Sequence, residues 1–436
     1  MSFEKSFCPS PWFHMRINNS GTYEYCRWMR KVGIKDGVTR ANFSHNIRNE
    51  SPLEYFQKRM APIRQQFLNG EFPIACMECE QMEQHGKASG RQRQLLKVGV
   101  QEKYFEKSLA SSPFKPDFDY SQANQGHTLR SVTDWQIDLG NYCNGRCVFC
   151  GPDGSSRLAV EFKKLGLIDK VPPLAWCDDP VLLARFTKDL TASTNLQYLH
   201  FIGGEPVIIP GFQTILSSLV NAGLAKDITL GFTTNINVWN NQVVDLLTQF
   251  KQVHLGMSVE TLTPVNDYIR YPSVLERTQE LLDRWRMIGQ EHGWLMQIRT
   301  TTSFLSIHDI TSVYSYAWEH NMSVESCNFL NDPMFMRISV LPPASRKLAR
   351  DRLSEWIDSH PADTSQQVIN TRDPNIARPQ ILQDAISYLN YLDNAGDESH
   401  RLPELVAYLK KLESSRGNSI LTYLPEYEEL FRSAGY

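Results

Sequence analysis

Long apolar runs are missing from this sequence. No stretch of eighteen apolar residues occurs in its 436 residues, so no membrane-spanning helix is expected. The opening segment, MSFEKSFCPSPWFHMRINN, is too polar for a secretory leader. An excess of either charge is missing too. The 45 Lys and Arg and 48 Asp and Glu leave a formal charge of −3, which excludes a general pull toward nucleic acid or anionic membrane. There is no repeat at a fixed period and no low-complexity tract. What remains is a chain expected to be cytoplasmic, 41% hydrophobic, long enough for two or three domains with a real core.

Cysteine is what the chain does have. Nine are present, an odd number that suggests metal or catalytic chemistry more than disulfides in a reducing compartment. They cluster: Cys8, Cys26, Cys76 and Cys79 lie near the start, Cys143, Cys147 and Cys150 fall within eight residues, and Cys177 and Cys327 stand apart.

The texture of the chain changes along its length. Residues 1–95 are irregular, with turn signals NNSG and KDG and one expected helix from Pro52 to Asn69 ended by Gly70. Residues 96–130 read as a polar connection. From 131 to 340, short apolar runs (DWQIDL, LQYLHFI, DITLGFT, QVHLGMSV, MQIRTTT, SVESCNFL) alternate with amphipathic segments near 154–165, 180–193, 211–223, 238–249, 273–289 and 307–320. Such alternation predicts a parallel sheet with helical crossovers. Six units point to an α/β fold, a partial (β/α)6 TIM-like barrel, although an open doubly wound sheet has the same local pattern. Residues 341–436 read as three or four helices. The expected organisation is a small N-terminal cysteine-rich α+β module, a linker, a barrel and a helical C-terminal region.

The loop NYCNGRCVFCGPDG begins just after the first predicted strand of the barrel, on the side where parallel barrels carry their chemistry. A C-x3-C-x2-C loop can turn three thiolates toward one iron–sulfur cluster. Three thiolates for four irons leave one iron with an open position, the mark of a catalytic metal. The competing reading is zinc with a fourth ligand from elsewhere. FIGGEP, Phe201–Pro206, closes the second strand. There Gly203 and Gly204 permit close backbone approach, Glu205 can accept from an ammonium, and Pro206 ends the strand.

With these two motifs together, residues 131–335 resemble the radical S-adenosylmethionine (radical SAM) superfamily. The resemblance rests on Cys143, Cys147, Cys150, the aromatic Phe149 before the last cysteine, and Gly203 to Pro206. It implies a [4Fe–4S] cluster on the three cysteines, with S-adenosylmethionine as fourth ligand. It also implies one-electron cleavage to methionine and a 5′-deoxyadenosyl radical, which takes hydrogen from a substrate. Phe149 would lie against the adenine, and Gly203, Gly204 and Glu205 would meet the methionyl amine. Thr234 and Asn235 in FTTN, Ser258 and Glu260 in MSVE, and Arg270 in NDYIR would serve ribose and carboxylate. Glu260 replaces the aspartate usual in that segment. An electron donor such as flavodoxin or ferredoxin is implied as partner; no nucleic acid and no membrane are.

FCPSPWFHMRINNSGTYEYC followed by FPIACMECE places Cys8 and Cys26 on either side of a predicted hairpin, with Cys76 and Cys79 as a C-x2-C turn. Spacing alone leaves zinc and iron–sulfur open. The pattern is similar to the twitch module, the shortened form of the SPASM extension of radical SAM enzymes. That resemblance implies a second, auxiliary [4Fe–4S] cluster on the four cysteines, although the module usually follows the barrel. Enzymes with this module often modify a peptide or protein side chain, which is the expected substrate. A sugar, nucleoside or cofactor precursor is the alternative, and a non-catalytic zinc scaffold is the alternative of another class. Further candidates are Asp138 as base or substrate contact, Arg299 as substrate contact, and Cys327 as hydrogen donor from the sixth strand. His14 and His85 are possible replacement ligands. Cys177 reads as a bystander thiol, and RQRQLLK (Arg91–Lys97) as an exposed helix face.

Overall fold

The computed structural model describes residues 6–26, 45–84, 89–173, 175–193, 195–325, 328–362 and 374–436. Eight strands form one sheet: β1 His14–Ile17, β2 Tyr23–Glu24, β3 Asp134–Asp138, β4 Tyr198–Ile202, β5 Thr229–Thr234, β6 Gln252–Ser258, β7 Leu295–Arg299 and β8 Ser323–Val324. Their order is β2-β1-β3-β4-β5-β6-β7-β8. From β3 to β8 every neighbour is parallel and follows in chain order. No reversal of order occurs, which removes the doubly wound alternative and leaves the singly wound partial barrel.

Side-chain parity explains which face the helices cover. Trp135, Leu199, Phe201, Leu230, Phe232, Val253, Leu255, Met257 and Ile298 are buried. They meet rings from the crossovers: Trp135 against Phe186, Phe201 against Phe212, and Phe232 against Trp285. These partners belong to the helices Pro180–Thr191, Pro210–Asn221 and Leu275–Glu291. The opposite parity carries Gln136, His200, Gly231, His254, Gly256 and Gln297 and lines a polar inner face, as a site-bearing barrel requires.

The six barrel strands and their helices fall where the sequence places them, with β8 cut to two residues. Three features depart from it. The predicted helix 52–69 is broken by a π-helical turn, Tyr55–Arg59. The hairpin β1–β2 is not confined to a separate module: β1 runs parallel to β3, Met15 opposite Trp135, and extends the barrel sheet. The stretch 96–130, read as a polar connection, holds the helices Phe105–Ala110 and Lys115–Ala123. Phe7 and Trp12 pack on Phe118, Phe7 also meets Phe105, and the Trp12 indole donates to Ser121 Oγ at 2.9 Å. The polar residues that suggested a linker lie on the outer sides of these helices.

The basic run Arg91–Lys97 is likewise only partly an exposed face. Arg91 is buried and pairs with Glu83 and Glu102. At the C-terminal end, the helix Ala377–Asn394 runs beside β8; Gln380 donates to the Val324 carbonyl and Tyr388 to Thr302 Oγ1. Among the described residues no helix is long and apolar enough to cross a membrane.

One buried cation ties the N-terminal region together. Arg64, with no exposed surface, donates to the carbonyls of Pro11, Phe56, Gln57 and Gly126. Removing the guanidinium leaves these acceptors without partners in a dry environment. Arg64→Met is therefore expected to cost about 3 kcal/mol, read as a lower urea midpoint for loss of the N-terminal tyrosine and tryptophan signals.

Candidate functional site

The C-terminal ends of β3, β4 and β5 bring the motifs together. After β3 the chain turns at Gly140 (φ +88°) into the cysteine loop. After β4, Gly203 and Gly204 also take positive φ, +92° and +37°. A Cβ on Gly203 would sit 2.4 Å from the Gly140 carbonyl, and one on Gly204 would sit 2.2 Å from the Tyr142 carbonyl. The two glycines thus let the second loop press against the first, and Glu205 N–H donates to Tyr142 O at 2.9 Å. The close approach that the sequence assigned to a ligand is, in the first instance, an approach of loop to loop.

Glu205 is buried, and its carboxylate has three donors: Val207 N–H at 3.2 Å, Thr234 Oγ1–H at 2.8 Å and the Asn235 N–H. Burial pushes its carboxyl up to about 7, against the opposing effect of those donors. It fixes the end of β5. Asn235 Nδ2 then reaches Asn144 Oδ1 at 2.7 Å and Cys143 Sγ at 3.7 Å, so β5 touches the cysteine loop directly. Ile236 follows with φ +52°, a left-handed backbone that a β-branched residue rarely adopts.

Cys143, Cys147 and Cys150 gather around small residues. An added Cβ on Gly145 would lie 3.7 Å from both Cys143 Sγ and Cys147 Sγ, and one on Gly154 would lie 2.7 Å from Cys150 Sγ. Burial and the neighbouring thiols push Cys143 up to about 11 and Cys150 up to about 12. Thiols raised in this way, Cys143 and Cys150, become thiolates more readily when a cation arrives. Phe149 packs against the core beside them.

Arg270 is the buried cation of this site. Its Nη1 donates to Glu260 Oε1 at 2.8 Å, while Glu260 Oε2 accepts from Thr301 N–H. Burial pushes Glu260 up, opposed by Arg270. Although burial disfavours its charge, Arg270 is held protonated by Cys147, Glu260 and Cys143. Among the described residues its Nε–H is buried with no acceptor, a donor that fits an incoming carboxylate. Ser258 ends β6 in register with Arg299. Asp138 ends β3; its Oδ1 accepts from Gly140 N–H, and its Oδ2 lies 3.7 Å from Arg16. Pro206 opens the short turn Pro206–Ile208. Cys177 donates to the Leu139 carbonyl at 3.1 Å, behind the loop. Cys327 and His85 lie outside the described residues.

In the N-terminal group, the hairpin tip is shaped by Asn18 Oδ1, which accepts from Ser20 and Thr22 N–H, and by Gly21 at φ +85°. The Cys8 thiol is pushed up by burial and by Cys26, Cys76 and Cys79, so all four sulfurs share one neighbourhood. Tyr25 Oη lies 3.4 Å from Cys76 Sγ. His14 turns instead to Asp134 Oδ1 at 3.0 Å and is not part of this group. Among the described residues, no three His, Cys, Asp or Glu side chains converge on a point where a single metal ion would sit.

Residues that the sequence reading missed hold the cysteine loop from outside. Arg146 N–H donates to Tyr271 O and Val148 N–H to Ile269 O, binding the loop to the helix end Val265–Ile269. Tyr408, on the helix Leu402–Arg416, donates to Val148 O at 2.8 Å. Arg416 of the same helix and Arg146 both pair with Glu161 and both lie over the Tyr271 ring. Nothing local in the sequence marks Tyr408; its partner is 260 residues away.

Comparison with known proteins gives a family for the central part. Residues 137–304 match the family model for the radical SAM superfamily. No curated protein matches the chain. Among solved structures, "Native anSMEcpe with bound AdoMet" is 15% identical, with a TM-score of 0.37, over 51% of this chain and 60% of that one. SuiB of Streptococcus suis bound to S-adenosylmethionine is 13% identical, with a TM-score of 0.34, over 70% of this chain and 64% of that one. The matched part thus spans about three-fifths of the length of either structure. TsrM of Kitasatospora setae is 14% identical, with a TM-score of 0.32, over 44% and 36% of the respective chains.

Two substitutions separate loop geometry from ligand chemistry. Gly154→Ala puts a methyl 2.7 Å from Cys150 Sγ and is expected to lower iron retained after anaerobic reconstitution. Tyr408→Phe removes one hydrogen bond and no volume. It is expected to leave the iron count near wild type while broadening the electron paramagnetic resonance signal of the reduced protein, because Val148 keeps its bond to Ile269 but loses the one that holds its carbonyl.

Proposed function

The chain carries a radical SAM domain over residues 137–304, and from it we propose a radical SAM enzyme with a second, auxiliary cluster, acting on a peptide or protein side chain. The observation that carries the reading is the convergence of three thiols, the Gly203–Glu205 loop and the end of β5 around the spare Arg270 N–H. Cys143, Cys147 and Cys150 would hold a [4Fe–4S] cluster. Gly203, Gly204 and Glu205 would take the methionyl amine of S-adenosylmethionine. Arg270 would take its carboxylate, and Thr234, Asn235, Ser258 and Glu260 would bound the ribose. Phe149 would lie on the adenine. Loaded in this way, the site supplies a single electron to the sulfonium and so a 5′-deoxyadenosyl radical for hydrogen abstraction.

The protein's own part is positional. Glu205 anchors Thr234 and Asn235, and Glu260 orients Arg270. Asp138 at the inner end of β3 is the candidate base, and Cys327 the candidate hydrogen donor. Residues 1–95 would form the auxiliary module, with Cys8, Cys26, Cys76 and Cys79 closing its cluster; residues 131–340 would be the catalytic barrel and 341–436 the helical cover. Thiols of this kind and a reduced flavodoxin or ferredoxin as electron donor suit the cytoplasm. A small-molecule substrate is the second reading. It is favoured by the helix Ala377–Asn394, which lies along the β8 edge and narrows lateral access.

Anaerobic reconstitution tests this directly. The expected product is a brown protein with about eight irons, four for each of two clusters, which forms 5′-deoxyadenosine from S-adenosylmethionine under dithionite. Cys143→Ala should lose half the iron and all cleavage, whereas Cys76→Ala should lose the other half and keep cleavage. A colourless protein that takes up zinc in place of iron would instead establish the scaffold reading.

A further inference from the structure

Arg299 is the last residue of β7, on the polar inner face and at the same end of the barrel as the cysteine loop. Its guanidinium is held on two sides. Glu325 takes the side edge in a bidentate pair, Nε–H to Oε2 at 2.6 Å and Nη2–H to Oε1 at 2.5 Å. Thr233 Oγ1, on β5, accepts from Nη1 at 2.8 Å. Thr233 lies on the stem side of the guanidinium. A Cβ on Gly256 would be 2.5 Å from Arg299 Cδ and 2.7 Å from Thr233 Oγ1, so this glycine is the gap through which the stem crosses β6 toward β5.

A guanidinium has five N–H donors. Among the described residues, Glu325 uses two and Thr233 one. The two left over, one on each Nη, form the outward end of the fork, two parallel donors with a fixed spacing. The Arg299 side chain is 31% exposed and that of its partner Glu325 17%, so the guanidinium is not sealed off from solvent. Its orientation is set before any ligand arrives, which reduces the entropy lost on binding.

We propose that the outward fork of Arg299 binds a carboxylate of the substrate. The subsite rests on the radical SAM reading in so far as the inner face is the substrate cavity. The substrate class is then one that carries a carboxylate close to the carbon that loses hydrogen: an acidic side chain or a C-terminal carboxyl group. Arg299 is a specificity residue in this scheme. It touches substrate and takes no part in cleaving S-adenosylmethionine.

The test uses the full chain and reads binding, not turnover. Saturation-transfer NMR would follow N-acetyl-glutamate N-methylamide, its neutral glutamine counterpart, and N-acetyl-glycine as a C-terminal carboxyl probe. At least one acid probe is expected to bind saturably in the millimolar range or below, with no binding of the neutral amide. Which acid probe binds identifies the source of the carboxylate. Arg299→Gln and Arg299→Lys should each weaken binding about tenfold or more, the lysine variant because it keeps charge but loses the fork. Melting curves identify a variant that fails to fold, and the other then carries the comparison. Equal binding of acid and amide, no saturable binding of either acid, or undiminished acid binding by a folded Arg299→Lys would overturn the proposal. Iron content and 5′-deoxyadenosine formation are measured separately, so failure of the radical reading and failure of the carboxylate subsite give different results.

Discussion

The candidate site is organised by acidic groups gathered around a buried cation. Three thiols and the carboxyls of Glu205 and Glu260 face one buried cation, Arg270. Burial pushes the Cys143 and Cys150 thiols and the Glu205 carboxyl toward their protonated forms. Under the proposed function, the cationic material to arrive would be the cluster iron and the sulfonium of S-adenosylmethionine. The surrounding hydrogen bonds, three on Glu205 and one on each oxygen of Glu260, hold the acidic groups in place until that material arrives.

The barrel was largely legible before any coordinates, because its strands are short, strongly apolar and separated by helices of regular period. Trp135, Leu199, Leu230, Val253 and Ile298 announce one face, and the polar residues between them the other. The loops were legible for a different reason: C-x3-C-x2-C and Gly-Gly-Glu-Pro are local patterns whose spacing carries their meaning. Even so, the purpose of the glycines was read too narrowly. Gly203 and Gly204 are needed where Gly140 and Tyr142 come within contact distance, a fact about two loops that neither loop states alone.

What could not be read shares one cause, sequence separation. The parallel pairing of β1 with β3 joins residues 120 apart. The helices between 96 and 130 are amphipathic over too few turns to show their period, and only Phe105, Leu109 and Phe118 reach the core. The polar context that suggested a connection is the solvent side of those helices. The C-terminal region was recognised as helical, but nothing in its composition announced that Tyr408, Glu413 and Arg416 would press on the barrel.

The reach of Tyr408 bears on the order in which the protein is completed. A ribosome releases the chain from its N-terminus, so the cysteine loop emerges 260 residues before the hydroxyl that fastens it. Once the last helices are made, Tyr408 and Arg416 close over the same segment and Glu413 ties them to Tyr268. The fastening of the cysteine loop is thereby completed only when the last helices have been made.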